Sequence, residues 1–355
     1  MSKAQDAPQA SRLQVAAVIS FYMAAALVMV FVNKAVLNST PDIPISFLFI
    51  QLAIAVVLLH VASFLSTWII PFEIRVPTLE LQTAIKLLPY VTVGVAGLIF
   101  NTLCLANVDA SFFQVARGLL LPFTITISAI ATRTRPSKGV ILAAFIVTAG
   151  FFFGVSPASY FSSATRATSL LPIAYGTLSS LLLALHAVLI KSAHTHVGSD
   201  NSVVKLMYYG NLMSAVFLVP FIALNGEMSP MMARWAAGGD QWRTFVVGTA
   251  ITGVFGFLIG LASLLSIKVT SPVTHMFSSA ARSVLQTILG VYIFGDIITM
   301  HRGTSILVIT LGALFYTWVQ SNRRPSDSKE KAIQLPPTPN PDRDMEKGEV
   351  GYGKG

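Results

Sequence analysis

Charge is scarce in this sequence: Asp, Glu, Lys and Arg make up 11% of its 355 residues, against roughly a quarter in a soluble globular domain. With 54% hydrophobic residues and a mean hydropathy of +0.70, that deficit excludes a soluble fold and leaves a polytopic membrane protein. Cysteine is nearly missing too. The one thiol, Cys104, lies inside an apolar run, so no intrachain disulfide and no thiolate metal site can form. No Asp or Glu stands inside a long apolar stretch beyond its ends, and no cluster of His, Asp or Glu offers acid–base or metal chemistry. There is no P-loop and no ABC signature. An enzyme and an ATP-driven pump are set aside, and no cofactor is expected.

What is present is a succession of apolar runs. Hydropathy and helix breakers predict ten spans: 13–37, 44–65, 85–105, 108–131, 138–157, 169–190, 203–224, 244–267, 272–294 and 302–320. The first run has no small-residue cleavage pattern and is expected to stay as a transmembrane helix. The formal net charge of +9 would suggest nucleic acid in a soluble chain, but its distribution does not. With a cytosolic N-terminus, the cytosolic segments hold Arg75, Lys86, Arg133, Arg135, Lys138, Lys191, Lys205, Lys268 and the basic tail. The other side holds only Arg166, Arg234, Arg243 and Arg302. This is the positive-inside pattern, and it predicts both termini in the cytosol. The sequon Asn38-Ser39-Thr40 then faces away from the cytosol. The proline-rich, charged tail is expected to be disordered.

Sliding the chain by about 160 residues sets FIQL (49–52) on YGNL (209–212), LCLANVDAS (103–111) on LLSIKVTSP (264–272) and TAG (148–150) on TLG (310–312). Three matches in one order point to a duplication of five helices. Five is odd, so the second copy is inverted in the membrane, as in many secondary transporters whose substrate site lies between the repeats. The expected organisation is a tail (1–12), a first repeat (13–157), a second repeat (158–321) and a C-terminal tail (322–355), in an all-α fold.

The ninth span carries an arginine at mid-depth. With a helix starting at Pro272, Arg282 lies about 15 Å into a hydrocarbon core about 30 Å thick, where an unpaired arginine costs on the order of 3 kcal/mol or more. His275, Ser279, Arg282 and Gln286 form one polar stripe, which therefore faces inward. In the fourth span Arg117 reaches similar depth from the other side, and Gln114, Arg117, Thr124 and Ser128 share a face at near-helical spacing. Each arginine meets either a buried carboxylate or an external anion. Acids are so few that the anion is favoured, and guanidinium forks suit phosphate.

Tyr208, Tyr209 and Asn211, with Ser214, place flat surface and an amide in the seventh span, as base recognition or as polar helix packing. In the first span Tyr22 is a candidate cavity residue, and Lys34 a snorkelling or gating one. His60 and His186 read as packing histidines. The patterns GVAGLIFN (94–101) and GVFGFLIG (253–260) read as close-packing surfaces.

The stretches MVFVNKAVL (29–37), NTLCLANVDASFFQVARG (101–118), GVFGFLIG (253–260) and IKVTSPVTH (267–275) resemble the nucleotide-sugar and triose-phosphate transporters of the drug/metabolite transporter superfamily. Within it, they are most similar to the Golgi GDP-fucose transporter branch. The resemblance implies ten helices, Golgi or related secretory membranes, and exchange of a cytosolic nucleotide sugar for a luminal nucleoside monophosphate.

The family's guanine-reading Phe-Tyr-Asn-Asn corresponds to Tyr208-Tyr209-Gly210-Asn211, and its Gly-rich, lysine-ended motif to Ser279-Ala280-Ala281-Arg282. Arg282 and Arg117 are thus expected to hold phosphates, Tyr208, Tyr209 and Asn211 the base, and Tyr22 and Ser279 the sugar end. His275, Gln286, Gln114 and Lys34 complete the candidate substrate-binding set. GDP-fucose exchanged for GMP is the leading expectation; GDP-mannose, a UDP-sugar or a phosphorylated triose are the transport alternatives, and a membrane-embedded enzyme or a scaffold the non-transport ones. The expected partners are the substrate pair, the bilayer and a second copy in a homodimer, with no nucleic acid.

Overall fold

A computed structural model describes residues 12–66, 75–155, 170–197, 202–269 and 272–322. Its elements are α1 (Arg12–Ser39), α2 (Pro44–Ser66), α3 (Leu81–Asn107), α4 (Ala110–Ala116), α5 (Leu120–Thr132), α6 (Lys138–Val155), α7 (Leu170–Val197), α8 (Ser202–Leu224), α9 (Met228–Ala237), α10 (Gly239–Val269), α11 (Pro272–Phe294) and α12 (Met300–Ser321). No strand occurs among the described residues. Lipid offers no hydrogen bonds to a bare backbone, so apolar chain of this length must satisfy itself as helix. Among the described residues nine segments are long and apolar enough to cross a bilayer, α4 and α5 together forming one of them. The protein is an all-α polytopic membrane protein. The predicted repeat boundary at 157–158 and the tail from 323 lie outside the described residues.

The predicted spans coincide with these helices, although α7 runs to Val197 where the predicted span ends at 190 and α10 starts at Gly239 where the predicted span starts at 244, and two differences go beyond boundaries. The fourth span is not one helix but two, α4 and α5, with a turn at Arg117–Leu119 between them. Pro122 has no N–H to give the Gly118 carbonyl, and its ring crowds that carbonyl. The chain tightens there instead: Gly118 N bonds Val115 O at 2.8 Å and Leu120 N bonds Arg117 O at 3.0 Å. The second difference is α9, a ten-residue helix in what hydropathy reads only as a connection.

The helices pair as α1 on α10, α3 on α7, α6 on α12, and α2 against both α8 and α10. Both glycine patterns sit at such seams. A Cβ at Gly94 would stand 2.7 Å from the His186 ring, and one at Gly253 would stand 2.7 Å from the Ile54 side chain, so these positions admit only glycine without a shift. One hydrophobic cluster joins Val36, Leu37, Phe47, Leu105, Phe112 and Phe113 near the end of the bundle that holds Asn38; a second runs between α2, α3, α7 and α8. Large apolar residues such as Phe64, Phe145, Phe152 and Val216 are exposed on the outside, where lipid lies.

Candidate functional site

The break after α4 decides how Arg117 is presented. Its backbone is at φ −90°, ψ 1°, and its half-buried guanidinium lies 5.3 Å from the Phe113 ring centre. Arg282 approaches on α11. The two guanidiniums are close enough to repel one another, and Tyr22 and Cys104 lie within electrostatic reach of Arg117; Lys34 lies within reach of Cys104. The Nε of Arg117 and the Nε of Arg282 are both buried without a hydrogen-bond partner. The ion pairs among the described residues, Arg234–Asp42 and Arg302–Asp109, leave both arginines out. Among the described residues neither arginine has a carboxylate partner, and like charges brought together in a low-dielectric interior are costly to leave unneutralised.

One turn further toward the Asn38 end, the helices are tied to one another. Gln114 Nε2 donates to Gln286 Oε1 at 2.5 Å, and Gln286 Nε2 donates to Ala110 O at 3.1 Å, fastening α11 to α4. Lys34 Nζ donates to Leu105 O at 2.9 Å and to Ala106 O at 3.3 Å. It thereby caps the last turn of α3, where a cation meets the negative end of the helix dipole. Phe31 and Phe294 stack with centroids 5.9 Å apart, and Arg302 bonds Asp109 at 3.0 Å. In this arrangement Lys34, Gln114 and Gln286, expected to bind substrate, are hydrogen-bonded to neighbouring helices at the Asn38 end.

Three further expectations are altered by the geometry. Thr124 and Ser128 stand on α5, separated by the turn at 117–119 from Arg117, which is not among the residues around them. They line a separate cavity of about 150 Å³ between α5, α6 and α12, with Arg135, Tyr316 and Gln320. Tyr209 is 2% exposed, and its hydroxyl donates to Thr78 O at 3.0 Å and accepts from Glu80 N at 2.8 Å. Both its ring and its hydroxyl are occupied in pinning the chain before α3, so it offers no free surface to a base here. Tyr208 is likewise buried, edge-on to His60 with centroids 5.4 Å apart. Asn211 is half-buried on α8, and His275 and Ser279 fall on α11 toward its start, their side chains outside the described residues. His186 stacks on Tyr90 at 4.4 Å and meets its carbonyl at 3.0 Å, the packing role read for it.

Sequence reading passed over two residues. Glu227 is fully buried and accepts from Ile45 N and Ser46 N at the start of α2, and Asn225 Nδ2 donates to it at 2.8 Å. Asn101 on α3 has a buried Oδ1 without a donor, one turn before Cys104. The only signal was a polar residue beside an apolar run for Glu227 and inside one for Asn101. Outside the spans, the Arg234 guanidinium holds the Asp42 carboxyl below its usual range by hydrogen bonding.

Several known proteins resemble this chain along nearly its whole length. "GDP-fucose transporter 1" of Mus musculus is 32% identical over 91% of this chain and 90% of its own. "GDP-fucose transporter 1" of Monosiga brevicollis is 33% identical over 90% of this chain and 94% of its own. "GDP-fucose transporter, Golgi" of Drosophila melanogaster is 30% identical over 87% of this chain and 90% of its own. The family model described as Triose-phosphate Transporter family matches residues 13–317. A multi-pass helical bundle accords with that match, and this chain belongs to the Triose-phosphate Transporter family, whose members and the relatives named above are transporters, not enzymes.

Proposed function

We propose that the protein is a nucleotide-sugar antiporter of the Golgi membrane that carries a GDP-sugar, GDP-fucose, from the cytosol to the lumen in exchange for GMP. The observation that carries this reading is the juxtaposition of Arg117 and Arg282, each with a buried Nε lacking a partner. A diphosphate presents two neighbouring anionic groups to two planar forks. The names of the relatives support guanosine and fucose as its two ends. Exchange follows from the same electrostatics. An empty site would have to reorient with two guanidiniums facing each other unneutralised, and an anion bound on both legs of the cycle removes that penalty.

The bundle is read as ten spans in two inverted repeats, 13–157 and 158–321, with both termini cytosolic. The pairing of helices supports it: α1 on α10 has its counterpart in α7 on α3, while α2–α8 and α6–α12 each pair equivalent helices across the pseudo-two-fold. On that orientation the Asn38 end is luminal, and its ties describe a state closed to the lumen. The test is uptake by purified protein in liposomes preloaded with GMP and offered labelled GDP-fucose, GDP-mannose and a UDP-sugar. GDP-fucose uptake that requires internal GMP is the expected result; uptake of the UDP-sugar in its place, or uptake indifferent to GMP, would overturn the reading.

A further inference from the structure

Helix α9 carries an unusual surface for a connection between spans. Met228, Met232 and Trp235 recur at i, i+4 and i+7, and they are 51%, 59% and 66% exposed, forming a single apolar stripe on one side of the helix. The other side is fixed to the protein. Arg234 Nε and Nη2 donate to the two oxygens of Asp42 at 2.9 and 2.6 Å, and Nη1 donates to Gln241 Oε1 at 2.6 Å. Met231 packs against the apolar cluster at that end of the bundle. The rotation of α9 about its axis is thereby set, and the stripe points outward as a consequence.

The chain also fixes its depth. Only the turn 225–227 separates α9 from the end of α8, and only Gly238 separates it from α10, so α9 runs at the level where two spans leave the hydrocarbon. Phe221 and Leu224 on α8 and Val246 and Val247 on α10, in the parts of those helices that adjoin α9 in the chain, are exposed apolar residues as well. A helix with one apolar edge that includes Trp, and an Arg on another, fits the headgroup–acyl boundary.

We propose that α9 is an in-plane interfacial helix. Its Met228–Met232–Trp235 stripe is seated in the lipid leaflet on the Asn38 side, and its Arg234 edge holds the turn between α1 and α2. The occupant of the stripe is phospholipid of that leaflet. This does not depend on which substrate the protein carries or on which compartment the leaflet faces.

Spin labels test it directly. In a Cys104→Ala background, Met232→Cys and Trp235→Cys are labelled in phospholipid vesicles, and collision with oxygen, which concentrates in lipid, is compared with collision with a water-soluble nickel chelate. Val216→Cys on the outside of α8 serves as a deep reference, and Ala233→Cys, on another side of α9, as an aqueous one. The oxygen-to-nickel ratio at 232 and 235 should fall between the two references. A ratio equal to that at 233, or shielding from both reagents together with dipolar broadening between two copies, would overturn the proposal. A second readout needs no label. Trp235→Phe should remove a component of tryptophan fluorescence quenched by lipids brominated high on the acyl chain, and unchanged quenching would count equally against lipid contact.

Discussion

Glu227 closes the start of α2 from 181 residues away, its Oε2 accepting from Ser46 N at 2.7 Å and its Oε1 from Ile45 N at 3.0 Å. The first turn of a helix leaves its N–H groups without partners. Pro44, the first residue of α2, has none to satisfy, Phe47 N bonds Ile43 O at 3.1 Å, and the two between belong to the carboxylate. Glu227→Gln turns one acceptor into a donor facing a donor, and Glu227→Ala removes both. Losses of about 1–3 kcal/mol are expected for the glutamine and more for the alanine. They should appear as a lowered melting midpoint of the detergent-solubilised protein, and an unchanged midpoint would mean the cap is not holding the helix.

If Arg282 holds a phosphate as proposed, charge at position 282 is required. Arg282→Ala should abolish exchange while protein still reaches the membrane, and Arg282→Lys should retain a measurable part, a point charge replacing a fork. Counterflow of labelled GMP in vesicles reads the outcome, and normal exchange by the alanine variant would remove the phosphate role.

Gly176 lets α7 approach the end of α4 from which Arg117 projects. A Cβ there would lie 2.7 Å from Ala116 Cβ and 2.9 Å from its carbonyl oxygen, and backbone cannot swing aside as a side chain can. Gly176→Ala should cost about 1–3 kcal/mol of packing and shift Arg117. Exchange rate at saturating substrate should fall even at a temperature where the variant remains folded.

Asn211 and Tyr209, both on α8, should separate in function. Asn211→Ala is expected to erode preference for GMP over UMP in competition for counterflow. Tyr209→Phe, which leaves Glu80 N and Thr78 O without their hydroxyl partner, should lower the melting midpoint and leave that preference alone. Gly210→Asn should sharpen the preference, since a Cβ there meets only the Tyr90 ring and hydroxyl at ordinary contact, 3.6 Å or more. A GMP-to-UMP ratio unmoved by Asn211→Ala would return α8 to packing.

Sidedness can be read by protease protection. In sealed Golgi vesicles, added protease should remove a tag at Gly355 and spare one inserted at Gly238. The reverse pattern would invert the assignment drawn from Lys and Arg placement.

The sequence by itself determined the helices, because hydrocarbon leaves an apolar segment of about 20 residues no other way to satisfy its backbone; α2 and α11 begin at the prolines where the reading placed them. It also marked Arg282 and Arg117, since a cation at mid-depth is conspicuous against an apolar background. What it could not decide is which polar groups meet. Whether Gln286 faces a ligand or Gln114, whether the Tyr209 hydroxyl reads a base or the backbone at Thr78, and that Glu227 reaches Ser46 all depend on distances between segments far apart in the chain. The break at Gly118 had its cause, Pro122, in plain view, but a proline one turn into a helix kinks some helices and merely starts others. Which it does depends on how α4 packs against α7 and α11, contacts that exist only in the tertiary structure, and the backbone conformation of Arg117 is set there.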